Sequence, residues 1–237
     1  MTGRSQSVPK SPRPLSANRS ATCALIPVLS TTTLGFAGSP WTLACYLVEG
    51  GGSETFPKTK ALLKADPKMM HRILEILTDA VAQYLTRQFA AGADAIQIFD
   101  SWAAALTGAD YEEFSLRYIR AVLERLPAGA PVILYAKGKS PQAAALAQTG
   151  VPCLGVDWTM PLSQVRQLAG RPICLQGNLD PEFMTGEPAA AVAATQAVLA
   201  DNAGDPGHIF NLGHGITPQA RIETFQAVVD AVVASGV

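Results

Sequence analysis

Six short apolar runs, residues 34–36, 95–99, 132–136, 153–156, 173–176 and 209–212, punctuate the chain, and each is followed by a stretch with helical periodicity. A βα unit repeated six times predicts an α/β domain with a parallel sheet. The helical stretches are 41–49, 58–65, 67–92, 110–126, 141–148, 162–169, 188–202 and 218–234. The first is the best punctuated. Ser39 can accept from the free N–H groups of its first turn, Pro40 loses no hydrogen bond at the first helical position, and Gly50 supplies a stop. Thr42 and Tyr46 then share a face, one turn apart. Asp66 and Pro67 open the longest helix, whose apolar stripe is Met70, Ile73, Leu74, Leu77, Val81 and Tyr84.

Six units do not close an eight-stranded barrel. They occupy about 200 residues, roughly 34 each, whereas a complete (β/α)8 domain takes about 250. The expected fold is therefore a TIM-barrel type that is incomplete by two units, spanning residues 34–237. An open six-stranded arc would leave two sheet edges unpaired, a liability for aggregation or swapping.

Residues 1–33 break the pattern. They hold Arg4, Lys10, Arg13 and Arg19, no acidic residue, and scattered Ser, Thr and Pro without a period. Such a head is expected to be disordered or foreign to the domain. A targeting peptide shares its basic bias, but Pro27 interrupts the apolar run and no small-residue cleavage site follows.

Composition adds mainly exclusions. With 48% apolar residues and a net charge of −1 over 237 residues, the chain can bury a full core and has no polyelectrolyte character, which speaks against nucleic acid. No apolar run approaches the roughly 20 residues needed to span a bilayer. Cys23, Cys45, Cys153 and Cys174 lack metal-type spacing and read as reduced core thiols of a cytoplasmic protein.

Chemistry in such barrels gathers at the C-terminal ends of the strands. That rule places Ala37, Gly38, Asp100, Ser101, Trp102, Lys137, Asp157, Trp158, Asn178 and His214 around one mouth. Ser101 can donate to a substrate carboxylate or cap its loop. Asp157 and Asn178 suit helix entry or a turn as well as a site, and Lys137 suits a carboxylate partner inside the barrel. His214 lies between two glycines that permit close approach of a ligand, and its imidazole can donate to an anion. Tyr46, an aromatic on a helix, reads by itself as core.

The stretch GFAGSPWTLACYLVEGGGSETF at 35–56, with FDSWA at 99–103, GVDWT at 155–159, QGNLDP at 176–181 and NLGHGI at 211–216, resembles the uroporphyrinogen decarboxylase family from about Leu34 to the C-terminus. The resemblance makes the six strands the third to the eighth of the barrel. It implies a homodimeric enzyme without metal or organic cofactor that converts uroporphyrinogen III to coproporphyrinogen III by removing four acetate carboxyl groups as CO2. It implies that Tyr46, Ser101 and His214 contact the substrate. The family's Arg-rich loop and its central Asp belong to the first two units, and neither motif stands in residues 1–33. The chain is accordingly expected to be an N-terminally truncated member, impaired or inactive alone, with no catalytic residue assigned. A porphyrinogen-binding or dimerising fragment without turnover is the alternative. The related corrinoid-linked, zinc-dependent methyltransferases fit poorly, because Ile216 stands where a His-x-Cys pair would need its thiol.

Overall fold

The computed structural model describes residues 32–53, 55–202 and 204–236. The expected head at 1–33 therefore lies outside the described residues except for Thr32 and Thr33. Six strands, β1 (Leu34–Gly38), β2 (Ala95–Asp100), β3 (Val132–Ala136), β4 (Cys153–Gly155), β5 (Cys174–Leu179) and β6 (His208–Leu212), pair in chain order, every pair parallel. Helices α1 (Pro40–Glu49), α2 (Pro57–Ala65) and α3 (Pro67–Ala90) follow β1; α4 (Gly108–Tyr111) and α5 (Arg117–Leu123) follow β2. α6 (Ala143–Ala147), α7 (Leu162–Ala169), α8 (Pro188–Asp201) and α9 (Ile222–Ala234) complete the later units.

The sheet curls. The Gln97 amide on β2 donates to the Gln176 side chain on β5 at 2.9 Å, although three strand spacings in a flat sheet would separate them by about 14 Å. Only a barrel-like curvature brings these inward-facing groups together. On the outer face Ile96, Ile98, Val132, Leu134, Leu154 and Leu175 join Trp41, Met70, Leu74 and Leu85 of the helices in one core. On the inner face Ile133, Cys153 and Cys174 form a small layer with Ile209.

The punctuation at α1 is realised as expected: the Ser39 hydroxyl accepts from Thr42 N at 3.0 Å, and Gly50 ends the helix at φ 84°. Asp66 caps α3 through Met69 N at 3.0 Å. Its buried stripe departs from the expectation, for Tyr84 is exposed, whereas Thr78 is buried with its hydroxyl donating to Leu74 O at 2.7 Å. A threonine that satisfies itself on the helix backbone costs little inside a core. The single helix expected over 110–126 is instead split by a π-turn at Glu112–Leu116. The last helix starts at Ile222, since Arg221 N donates to Met184 O at 2.8 Å and holds residues 217–220 in a turn.

One of the two exposed edges is capped. The Gln88 side chain of α3 accepts from Phe36 N at 2.7 Å and donates to Phe36 O at 3.0 Å, so an amide side chain takes the place of a neighbouring strand on β1. Gly35 makes this possible: a Cβ there would lie 2.6 Å from Gln88 Oε1.

His208 opens β6 with its Nε2–H directed at Gly177 O, 2.7 Å away, while Nδ1 is buried without a partner among the described residues. Burial depresses its pKa below the ordinary value of 6.5. The unfolded chain therefore takes up a proton first, and the stability present above about pH 6.5 is lost as pH falls through the folded value. Thermal melts between pH 7.5 and 5 should show a fall in midpoint that His208→Gln reduces; equal falls would exclude His208 as the cause.

Candidate active site at the strand C-termini

Two lips frame the mouth. On one, α1 projects Tyr46, 41% exposed, with its ring edge-on to Trp102 at 5.9 Å. Trp102 also packs on Phe56 at 4.7 Å, and its carbonyl accepts from Trp41 Nε1 at 3.1 Å. Ser101 precedes it, half-buried, and its hydroxyl makes no hydrogen bond among the described residues. On the other lip stands His214, exposed, its ring 5.9 Å from that of Tyr135. Burial, then Lys137, lowers the His214 pKa, so the imidazole is neutral near pH 7 and offers one N–H donor.

Between the lips runs a row of aromatic rings on the inner face. Phe36 meets Phe99 edge-on at 6.0 Å, Phe99 meets Tyr135 at 5.9 Å, and Tyr135 reaches His214. Tyr135 crosses β4 above Gly155, where an added Cβ would lie 2.9 Å from the tyrosine Cβ and 3.0 Å from its ring, and donates its hydroxyl to Gly213 O at 2.9 Å. Phe36 is 61% exposed. Sequence reasoning missed Phe36, Phe99 and Tyr135. Their signal was strand parity: each alternates with a residue buried against the helices, Ala37, Ile98 and Ala136 respectively.

Several residues expected at the mouth do other work. Asp157 is buried, and its carboxylate accepts from Gly138 N at 2.6 Å, Thr159 N at 3.0 Å and the Ser140 and Thr159 hydroxyls. Asn178 donates to Asp157 O at 3.0 Å and Met160 O at 2.7 Å. Both are structural. Lys137 forms no ion pair among the described residues and stays half-buried at the rim. Lys139 is the lysine that enters the interior, donating to Leu106 O at 2.7 Å with its ammonium 4.2 Å over the Tyr111 ring.

Asp100 points away from the mouth, into the helix layer. It is fully buried and accepts from Ser115 Oγ at 2.6 Å, Ser39 Oγ at 2.8 Å and Thr42 Oγ1 at 3.1 Å. Burial lifts its pKa, and these hydroxyls with Lys139 pull it back. Among the described residues no group of three or more His, Cys, Asp or Glu side chains is placed to hold a metal ion.

A sequence model described as uroporphyrinogen decarboxylase (URO-D) matches residues 20–234. The chain belongs to this family. The match begins ahead of Leu34, where the motifs begin. The uroporphyrinogen decarboxylase of Ralstonia pickettii is 50% identical over 207 residues, covering 84% of this chain and 56% of the relative. That of Tolumonas auensis is 44% identical over 207 residues, covering 84% of this chain and 58% of the relative. The chain thus spans little more than half the length of these relatives. Among solved structures, a methyltransferase from Methanosarcina mazei superposes with a TM-score of 0.73 at 22% identity, over 87% of this chain and 59% of the other. That likeness concerns the fold, an α/β barrel of which this chain supplies six βα units. No helix among the described residues is long and apolar enough to cross a membrane.

Proposed function

We propose that the mouth binds one side of uroporphyrinogen III, the tetrapyrrole that the family decarboxylates to coproporphyrinogen III, and that the 237 residues by themselves bind it without turning it over. In each of the four steps a carbon–carbon bond breaks, CO2 leaves, and a proton takes its place on the acetate methylene. The electrons are held meanwhile by a protonated pyrrole. The observation that carries this reading is the aromatic row, an apolar floor flanked by hydrogen-bond donors. A macrocycle with apolar faces and a rim of eight carboxylates needs both features. Tyr46 and Ser101 offer hydroxyls to one part of that rim, and neutral His214 donates to another, with Lys137 adding positive charge beside it. A homodimer working in the cytoplasm belongs to the same proposal and rests on family membership.

Titration with uroporphyrin, the oxidised and stable counterpart of the substrate, followed by fluorescence tests the reading. Tyr46→Phe and His214→Ala should each weaken binding about tenfold, as expected for losing a hydrogen bond to a charged group. No saturable binding, or binding indifferent to both changes, would overturn it.

A further inference from the structure

We infer that Asp100 is a positioning residue for this mouth, which rests on the porphyrinogen-binding reading above: its carboxylate locks the loop bearing Ser101 and Trp102 to the start of α1, so that Ser101 and Tyr46 are presented together. Asp100 touches nothing in the mouth, and its place in the helix layer is costly, since a buried carboxylate loses hydration that hydrogen bonds only partly restore. An apolar side chain would often be as stable there. What an apolar side chain cannot do is tie three elements at one point.

Each tie is directional. Ser39, the N-cap of α1, donates to Asp100 Oδ1 and accepts from Thr42 N. Thr42 donates to the same oxygen and accepts from Trp102 N at 3.3 Å, so one hydroxyl bridges the carboxylate to the loop that follows β2. Ser115, in the π-turn, donates to the second oxygen. π-turns are rare and frequently lie at functional sites; this one carries Ser115. The route from Asp100 to the ligand is then short. Thr42 and Tyr46 lie one turn apart on one face of α1, and the Tyr46 ring rests on Trp102, whose backbone Thr42 holds. His214 lies on the opposite lip, where its ring meets Tyr135.

That asymmetry makes the inference testable by two mutant cycles on uroporphyrin affinity, measured at a temperature where every variant is folded. Asp100→Asn should weaken binding about tenfold. Combined with Tyr46→Phe it should weaken binding little further, because a displaced Tyr46 has no hydroxyl contact left to lose. Combined with His214→Ala the two losses should multiply. A merely structural role would loosen both lips alike and make the two cycles agree, so losses that multiply in both cycles or in neither, or wild-type affinity in Asp100→Asn, overturn the inference. Should Asp100→Asn fail to fold, Thr42→Val breaks the bridge to Trp102 while leaving Ser39 and Ser115 on the carboxylate, and the same two cycles apply. If the unmutated protein binds no uroporphyrin, the functional reading falls, and the positioning is decided by Trp102 emission, isolated as the difference from Trp102→Phe. A shifted emission on breaking the bridge supports it, and an unchanged one overturns it.

Discussion

Given uroporphyrinogen III, the 237-residue chain alone should form no coproporphyrinogen above background. On the function proposed above, positive charge develops on a pyrrole, and a carboxylate facing the macrocycle would meet it. Neither buried aspartate beside the mouth, Asp100 or Asp157, faces it. Asp100 is turned into the helix layer under three hydroxyls, and Asp157 is consumed by its own loop. The rim is also short of cations, with Lys139 drawn inside and His214 neutral near pH 7. Removing one preorganised group that stabilises a transition state costs about 10²–10³ in rate. Joining the N-terminal portion of a full-length relative to the chain should restore measurable turnover. The check is a discontinuous assay of coproporphyrinogen formation on both proteins. Turnover by the chain alone at the rate of a full-length relative would show that no further carboxylate is needed.

Tyr135→Ala should produce the largest loss of stability among single changes at the site, about 3–5 kcal/mol, as for other buried aromatics cut to alanine. The ring fills the inner layer between Phe99 and His214, above Gly155, and its hydroxyl is the donor to Gly213 O. Tyr135→Phe removes only the hydrogen bond and should cost about 1 kcal/mol. Urea denaturation of the three proteins measures both values. Uroporphyrin affinity should follow the same order, because His214 loses its aromatic neighbour in the first variant and keeps it in the second. Equal costs for the two variants would mean that the ring packs on nothing that matters.

Much of the fold was legible because its signals are local. All six strands appear where apolar runs stood between turn residues, and α1 begins and ends on Ser39 and Gly50 as their backbone preferences require. The misreadings have a common origin. Tyr84 was placed in the buried stripe of α3 by its apolar ring, yet which face of a helix is buried depends on its neighbours, and Thr78 is buried instead. The break at Glu112–Leu116 left no mark in the sequence, because the π-turn serves a carboxylate fifteen positions back in the chain.

The site divides along the same line. Tyr46, Ser101 and His214 were named from motifs, and the positions of Ser101 and His214 just after strands follow from the βα order alone. Ser101 and His214 stand next to residues the sequence treats alike, and only three-dimensional packing separates them. Side chains at successive strand positions point to opposite faces, so Phe99 enters the barrel and Asp100 the helix layer, although the two are adjacent in the chain. Likewise Lys139, rather than Lys137, finds a carbonyl and an aromatic face to compensate its burial. The sequence by itself determined the strands, the caps and the strand-end residues, because short-range sterics and periodicity set these, and its motifs carried the likeness to the family. The tertiary structure alone decided which polar groups are spent on holding the mouth in place and which are left to face a ligand, because that depends on partners brought together from distant parts of the chain.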